Sequence, residues 1–236
     1  MSYQQSGAWA VDQAMRVLAT GCAAECRPAP AAGAVVLGSE SMLVRMTTPD
    51  EAAPPGWTVA DHGRTWRTEL RRLQDAAVDD RIPDPYPLLV SLGLIDDGRL
   101  LLNLAAAGGP ISVEGEPDLA RSLIRAWSRR LTTSPWATGN RVIRVGFPHD
   151  PDFCGWDVSR LVAAAPVLDV PEGGIVLFAA PPAGRDLYLV DRLLREPVRR
   201  WSVVAVGAGD ATWRFTVRAD GTAETGLLAE PVRLRP

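Results

Sequence analysis

Apolar residues recur at helical spacing near the start of the chain. Val11, Met15, Leu18 and Cys22, with Ala between them, predict an amphipathic helix over 8–24, and Pro28 and Pro30 end it. Short apolar runs follow at 34–37 and 42–46, and two more surround Trp57 and Trp66; all four predict strands. Asp61-His62-Gly63-Arg64 between the two Trp is a hairpin turn sequence. Residues 71–85 are polar, close on Ile82-Pro83-Asp84-Pro85, and read as a linker.

Beyond the linker, residues 88–95 and 100–104 predict two apolar strands joined through Asp96-Asp97-Gly98. Strands are then expected at 110–114, 141–147, 174–180 and 201–207. They alternate with helices at 118–131, 152–165 and 186–195. Apolar strands separated by amphipathic helices predict a mainly parallel sheet with helices on both faces. Residues 212–218 and 223–228, joined through Ala219-Asp220-Gly221-Thr222, predict an antiparallel edge hairpin. The expected organisation is a small α+β unit over 1–70, a linker over 71–85 and an α/β domain over 86–236.

Composition narrows the chemistry. The net charge of −3 argues against nucleic acid as the partner. All 25 basic residues are Arg, so no lysine is present to form a Schiff base, act as a base or bind phosphate. No basic-then-apolar leader opens the chain and no apolar run is long enough to cross a bilayer, which predicts a cytoplasmic protein. Three cysteines, Cys22, Cys26 and Cys154, argue against a disulfide framework. Cys22 and Cys26, with no second pair and only isolated His62 and His149, read as small residues on the buried face of a helix rather than as zinc ligands.

The junction between the expected 110–114 strand and 118–131 helix reads Gly115-Glu116-Pro117-Asp118-Leu119-Ala120-Arg121-Ser122. It has the register of a P-loop: Gly, four residues, Gly, Lys, then Ser or Thr. Gly115 and Ser122 stand at the first and last positions, while Ala120 replaces the second Gly and Arg121 the Lys. Ala120 adds a methyl where backbone must wrap phosphate, Pro117 removes a donor, and Glu116 and Asp118 place carboxylates where phosphates would lie. The same octet is also an ordinary helix start, with Pro at the first position and acids in the first turn. The later strand Ile175-Val176-Leu177-Phe178 runs on into Ala179-Ala180, where a P-loop NTPase places the acid that holds magnesium. Gly115, Ala120, Arg121 and Ser122 therefore read as a vestigial phosphate loop, with no catalytic residue, no metal ligand and no cofactor.

Resemblance adds to this reading. The hairpin over 88–104 leading into Ile111-Ser112-Val113-Glu114-Gly115 resembles the entry into FtsK/SpoIIIE-like ATPase domains. Nearly the whole chain is similar to the C-terminal region of large actinobacterial proteins carrying LysM and bacterial transcriptional activator (BTAD) domains. The matching stretches are Arg27-Pro28, Gly56-Trp57, Asp61 to Trp66, Leu101-Leu102-Asn103-Leu104, Thr133-Ser134-Pro135-Trp136-Ala137 and Ala219-Asp220-Gly221. That resemblance implies a P-loop-NTPase-like α/β fold with an altered loop and names no reaction. The chain departs from it in lacking the LysM, BTAD and membrane segments, and in a short stretch from Pro148 to Glu172.

Other constellations read as structural. His149, Asp150, Asp152 and Cys154 form a solvated loop, and Ser134 and Ser159 lack a His–acid arrangement. Trp57 and Trp66, with Arg64 and Arg67, suit packing better than base stacking. Arg125, Arg129, Arg130, Arg141 and Arg144 could face an acidic partner or nucleic acid, or merely solvate a helix. The expected function is a non-catalytic protein-interaction or regulatory module, a pseudo-NTPase with another protein as its partner. The alternatives are a nucleotide sensor using Arg121 and Ser122, and a nucleic-acid-binding module of translocase descent.

Overall fold

The structure, a computed structural model, describes residues 3–170, 172–195 and 200–235. The chain divides into two compact units, Met1–Ala106 with Ser134–Ala137, and Ala107–Thr133 with Thr138–Pro236.

In the first unit, helix α1 (Tyr3–Ala24) precedes strands β1 (Ala32–Leu37), β2 (Ser41–Met46), β3 (Thr58–Ala60) and β4 (Thr65–Glu69), then β5 (Leu89–Ile95) and β6 (Gly98–Asn103). The strands are ordered β3-β4-β2-β1-β6-β5, and every pairing is antiparallel. Val11, Ala14, Met15, Leu18 and Cys22 form one stripe of α1 and pack on Val35, Met42, Val44, Trp66 and Leu101. The β5–β6 turn depends on Gly98. Its φ is +136°, and a Cβ there would lie 2.2 Å from the Leu37 carbonyl oxygen.

In the second unit, β7 (Ile111–Gly115) leads into α2 (Pro117–Thr133). Then come β8 (Arg141–Val145), β9 (Trp156–Val158), α3 (Ala165–Leu168), β10 (Gly174–Phe178), α4 (Arg185–Arg195) and β11 (Trp201–Val206). Strands β12 (Trp213–Val217), β13 (Thr222–Glu224) and β14 (Val232–Leu234) complete the unit. The order is β14-β13-β12-β7-β11-β10-β8-β9. The pairings from β12 to β9 are parallel, and the remaining two are antiparallel. All five residues of β10 are buried, as suits a strand with a neighbour on each side. Val190 and Leu193 of α4 pack on Val176, Phe178, Val203 and Ala205.

The expected mainly parallel sheet with helices on both faces is overturned. Among the described residues seven of twelve pairings are antiparallel and fourteen strands stand against four helices, so the architecture is a mixed and mostly antiparallel β structure. Tight turns are the reason. A strand that re-enters through a two- to four-residue connection must pair antiparallel, whereas parallel pairing needs a long crossover.

The expected helix over 152–165 is also corrected. That stretch holds a loop, the three-residue β9, and a 3-10 turn at Leu161–Ala164 ahead of the single-turn α3. Its sequence opposes a helix at the start, where Gly155 packs so closely that a Cβ would lie 2.4 Å from the Val142 carbonyl oxygen. Asp157 is instead drawn beside β8 by a buried arginine.

Candidate functional site

The β7–α2 junction forms because its residues leave the chain few options. Gly115 ends β7 with φ +94°, and a Cβ there would lie 2.0 Å from the Val217 carbonyl oxygen. The Glu116 N–H donates to that same oxygen at 3.0 Å, so the end of β7 is pinned against the end of β12. Pro117 opens α2 with its pre-set φ. The Ala120 N–H already donates to the Glu116 carbonyl at 2.9 Å, which is the first bond of the helical ladder. Strand therefore passes to helix through one residue, Glu116.

The four residues read as a vestigial phosphate loop lie within this junction. Gly115 ends the strand. Ala120 is wholly buried on the inner side of α2. Arg121 and Ser122 face outward on the second turn. Arg121 is engaged: its Nη1 donates to the Asp118 carboxylate at 2.9 Å, and its Nε reaches the Ala179 carbonyl oxygen at 3.4 Å. Ala179 is buried at the end of β10, and its N–H donates to the Val145 carbonyl. The first-turn N–H groups free of intrahelical partners are those of Asp118 and Leu119, beside the carboxylates of Glu116 and Asp118. These carboxylates supply the negative charge that a helix start favours, that of Asp118 being paired with Arg121.

A second cluster lies on β8 and β9. Arg144 is wholly buried, and its guanidinium grips both oxygens of Asp157 at 2.6 Å, from the neighbouring position on the next strand. Its Nη1 lies 3.5 Å from Asp150, and the Phe153 ring stacks 3.9 Å from the guanidinium carbon. Arg129 holds Asp150 at 2.9 Å, and this bond keeps the Asp150 carboxyl below the usual carboxylate range. Nothing in the sequence marks Arg144 as internal except its place between Ile143 and Val145.

Three of the five arginines weighed above as helix solvation or a partner surface are engaged within the protein. Arg144 is buried and paired, Arg129 is spent on Asp150, and Arg141 meets Glu172 at 3.4 Å. His149 is exposed, with Nδ1 3.7 Å from Asp157. Trp57 and Trp66 are buried, as packing rather than base stacking requires. Asp186 in the first turn of α4 is buried and accepts a bond from the Val162 N–H at 3.3 Å. Cys22 is buried, whereas Cys26 lies past the end of α1 and is exposed. Among the described residues no group of three or more His, Cys, Asp or Glu is arranged to hold a metal ion, and no helix is long and apolar enough to cross a membrane.

No protein-family model and no curated protein matches the chain. The resemblance to the LysM and BTAD proteins thus has no counterpart in these comparisons. Among solved structures the chain is similar to the pCW3 conjugation coupling protein TcpA, in its monomer form with ATPγS. The TM-score is 0.46 and the identity 11%, over 97% of this chain and 94% of that one. A likeness of that size fixes neither the fold nor an activity.

Proposed function

We propose that the chain is a non-catalytic module for protein interaction or regulation, a pseudo-NTPase whose β7–α2 junction is a degenerate phosphate loop. It is no enzyme and uses no cofactor. One observation carries this reading: α2 begins a single residue after β7 ends. A P-loop holds phosphate with successive N–H groups of an open loop and with a lysine. Here the equivalent residues are wound into the first helical turns, and the Ala120 N–H is bonded to the Glu116 carbonyl.

The end of β10 supports the same reading. Ala179 and Ala180 offer no carboxylate to magnesium, and Arg121 lies across from β10 on the Ala179 carbonyl. The proposed partner is another protein. Its proposed place of work is the cytoplasm, where thiols such as Cys22, Cys26 and Cys154 stay reduced.

Calorimetric titration with ATP, ADP and GTP, with and without magnesium, tests the reading. The expected result is no binding at millimolar nucleotide. A micromolar dissociation constant that is lost in Arg121→Ala would replace the dead site with a nucleotide sensor. Restoring Gly at 120 and Lys at 121 together is expected to yield no hydrolysis, because the β10 end still lacks an acid.

A further inference from the structure

The outer edge of the first unit brings together an open strand, unpaired arginines and a small cavity. Strand β3 stands at one end of the strand order, and among the described residues it pairs only with β4. All three of its residues are exposed. A lone edge strand keeps one row of backbone N–H and C=O groups directed outward, ready to pair with another extended segment.

Unpaired arginines gather at this edge. Arg45 on β2, Arg64 in the turn between β3 and β4, and Arg67 on β4 have no ion-pair or hydrogen-bond partner for their guanidinium groups among the described residues. The register sets Leu43 opposite Arg67, and Arg45 opposite Thr65. Side chains at alternate positions share a face, so Arg45 and Arg67 project from the same side of the sheet. Of the nearby carboxylates, Glu69 is committed to Arg71 at 2.8 Å and Arg72 at 3.4 Å, and Asp50 lies 3.7 Å from Arg27, while Asp61 in the turn and Glu40 at the far end of β2 stay unpaired among the described residues.

Beside this edge is a cavity of about 260 Å³ lined by Gly56, Thr58, Arg67, Thr68, Glu69 and Arg72. The two hydroxyls are spent: Thr58 donates to the Arg67 carbonyl and Thr68 to the Gly56 carbonyl. Donors therefore come from the guanidinium groups, and the free one is that of Arg67. A planar guanidinium with no partner matches a carboxylate through two parallel N–H···O bonds.

We infer that the β3 edge is a docking site for an extended, acidic polypeptide segment of a partner protein, which adds as a strand beside β3 and sets a carboxylate against Arg67. The inference rests on the reading of the chain as an interaction module and gives that module a place and a partner chemistry. Nucleic acid is the lesser occupant, because Trp57 and Trp66 at this edge are buried and offer no face for a base.

Fluorescence anisotropy of the intact chain with a labelled short peptide of alternating valine and glutamate tests the inference. The expected result is saturable binding that weakens about tenfold in Arg67→Ala, the worth of one charge-assisted bond. Arg67 is exposed, so this variant keeps the fold. The same peptide N-methylated along its pairing edge should not bind, and a version with lysine for glutamate should not bind either. Equal binding by the methylated peptide overturns the strand addition. An unchanged affinity in Arg67→Ala overturns the carboxylate contact. A single-stranded DNA oligonucleotide that binds more tightly than the peptide overturns the choice of occupant. Failure of every peptide to bind removes this inference alone, since nucleotide titration judges the dead site separately.

Discussion

At the residue scale, the polar stripe of α1 determines how the segment before β5 is held. Gln13 Nε2 donates to the Leu73 carbonyl at 3.0 Å, Thr20 Oγ1 accepts the Asp79 N–H at 3.0 Å, and Arg16 pairs with Asp80. Asp12 on the same stripe is the misfit. Burial, and then the neighbouring charge of Asp84, push its carboxyl above the usual range, against the pull of Arg16; burial raises Asp84 as well. A carboxyl raised by folding contributes stability below its unfolded pKa and loses that contribution as pH rises through the folded value. Ionised Asp12 therefore costs stability at neutral pH. Asp12→Asn is expected to raise the urea midpoint at pH 7, with the advantage shrinking as pH falls into the carboxylate range. A midpoint for Asp12→Asn below that of the parent at pH 7 would show that the Arg16 pair outweighs burial.

At the scale of elements, α1 ends in a way that its sequence conceals. The Arg27 N–H returns to the Cys22 carbonyl and the Cys26 N–H to the Ala23 carbonyl, the two bonds of a Schellman turn. That turn puts Cys26 in the left-handed region at φ 56°, the place usually taken by glycine. Cys26→Gly should stabilise the protein by about 1 kcal/mol, read as a shift in denaturant midpoint at constant slope. The spacing of Cys22 and Cys26 suggested one buried helical face; the αL residue breaks that spacing and turns Cys26 to solvent. Elsewhere legibility followed element length. Helix α2 was readable because Pro117 and Asp118 start it and Leu123, Ile124 and Trp127 repeat along one face. The β7–α2 junction was readable as a junction, but the absence of any open loop in it was not, because the P-loop register and a plain helix start share their residues. Strand β9 was missed because three residues carry no period. Its partner contact, Asp157 on the buried Arg144, cannot be inferred from spacing.

At the scale of the whole molecule, the hairpin of β5 and β6 was legible as a hairpin and not in its allegiance. β6 pairs with β1, with Val35 opposite Leu101, so strands distant in sequence build one antiparallel set. The four residues Ser134–Ala137 likewise follow α2 in sequence yet belong to the first unit. Trp136 is buried there, and its indole N–H donates to the Leu89 carbonyl at 2.9 Å. Trp136→Ala removes a large buried ring and its bond together. The expected loss is about 3–5 kcal/mol, measured by equilibrium unfolding. A loss under about 1 kcal/mol, the size of an ordinary surface change, would mean that the first unit is complete without this segment. The late arrival of Trp136 matters most while the chain is being made. At roughly 5–20 residues per second, a ribosome that has passed Ala106 needs about a few more seconds to deliver the indole that completes the core behind it. Until then the nascent first unit exposes apolar surface to the chaperones and proteases of its host.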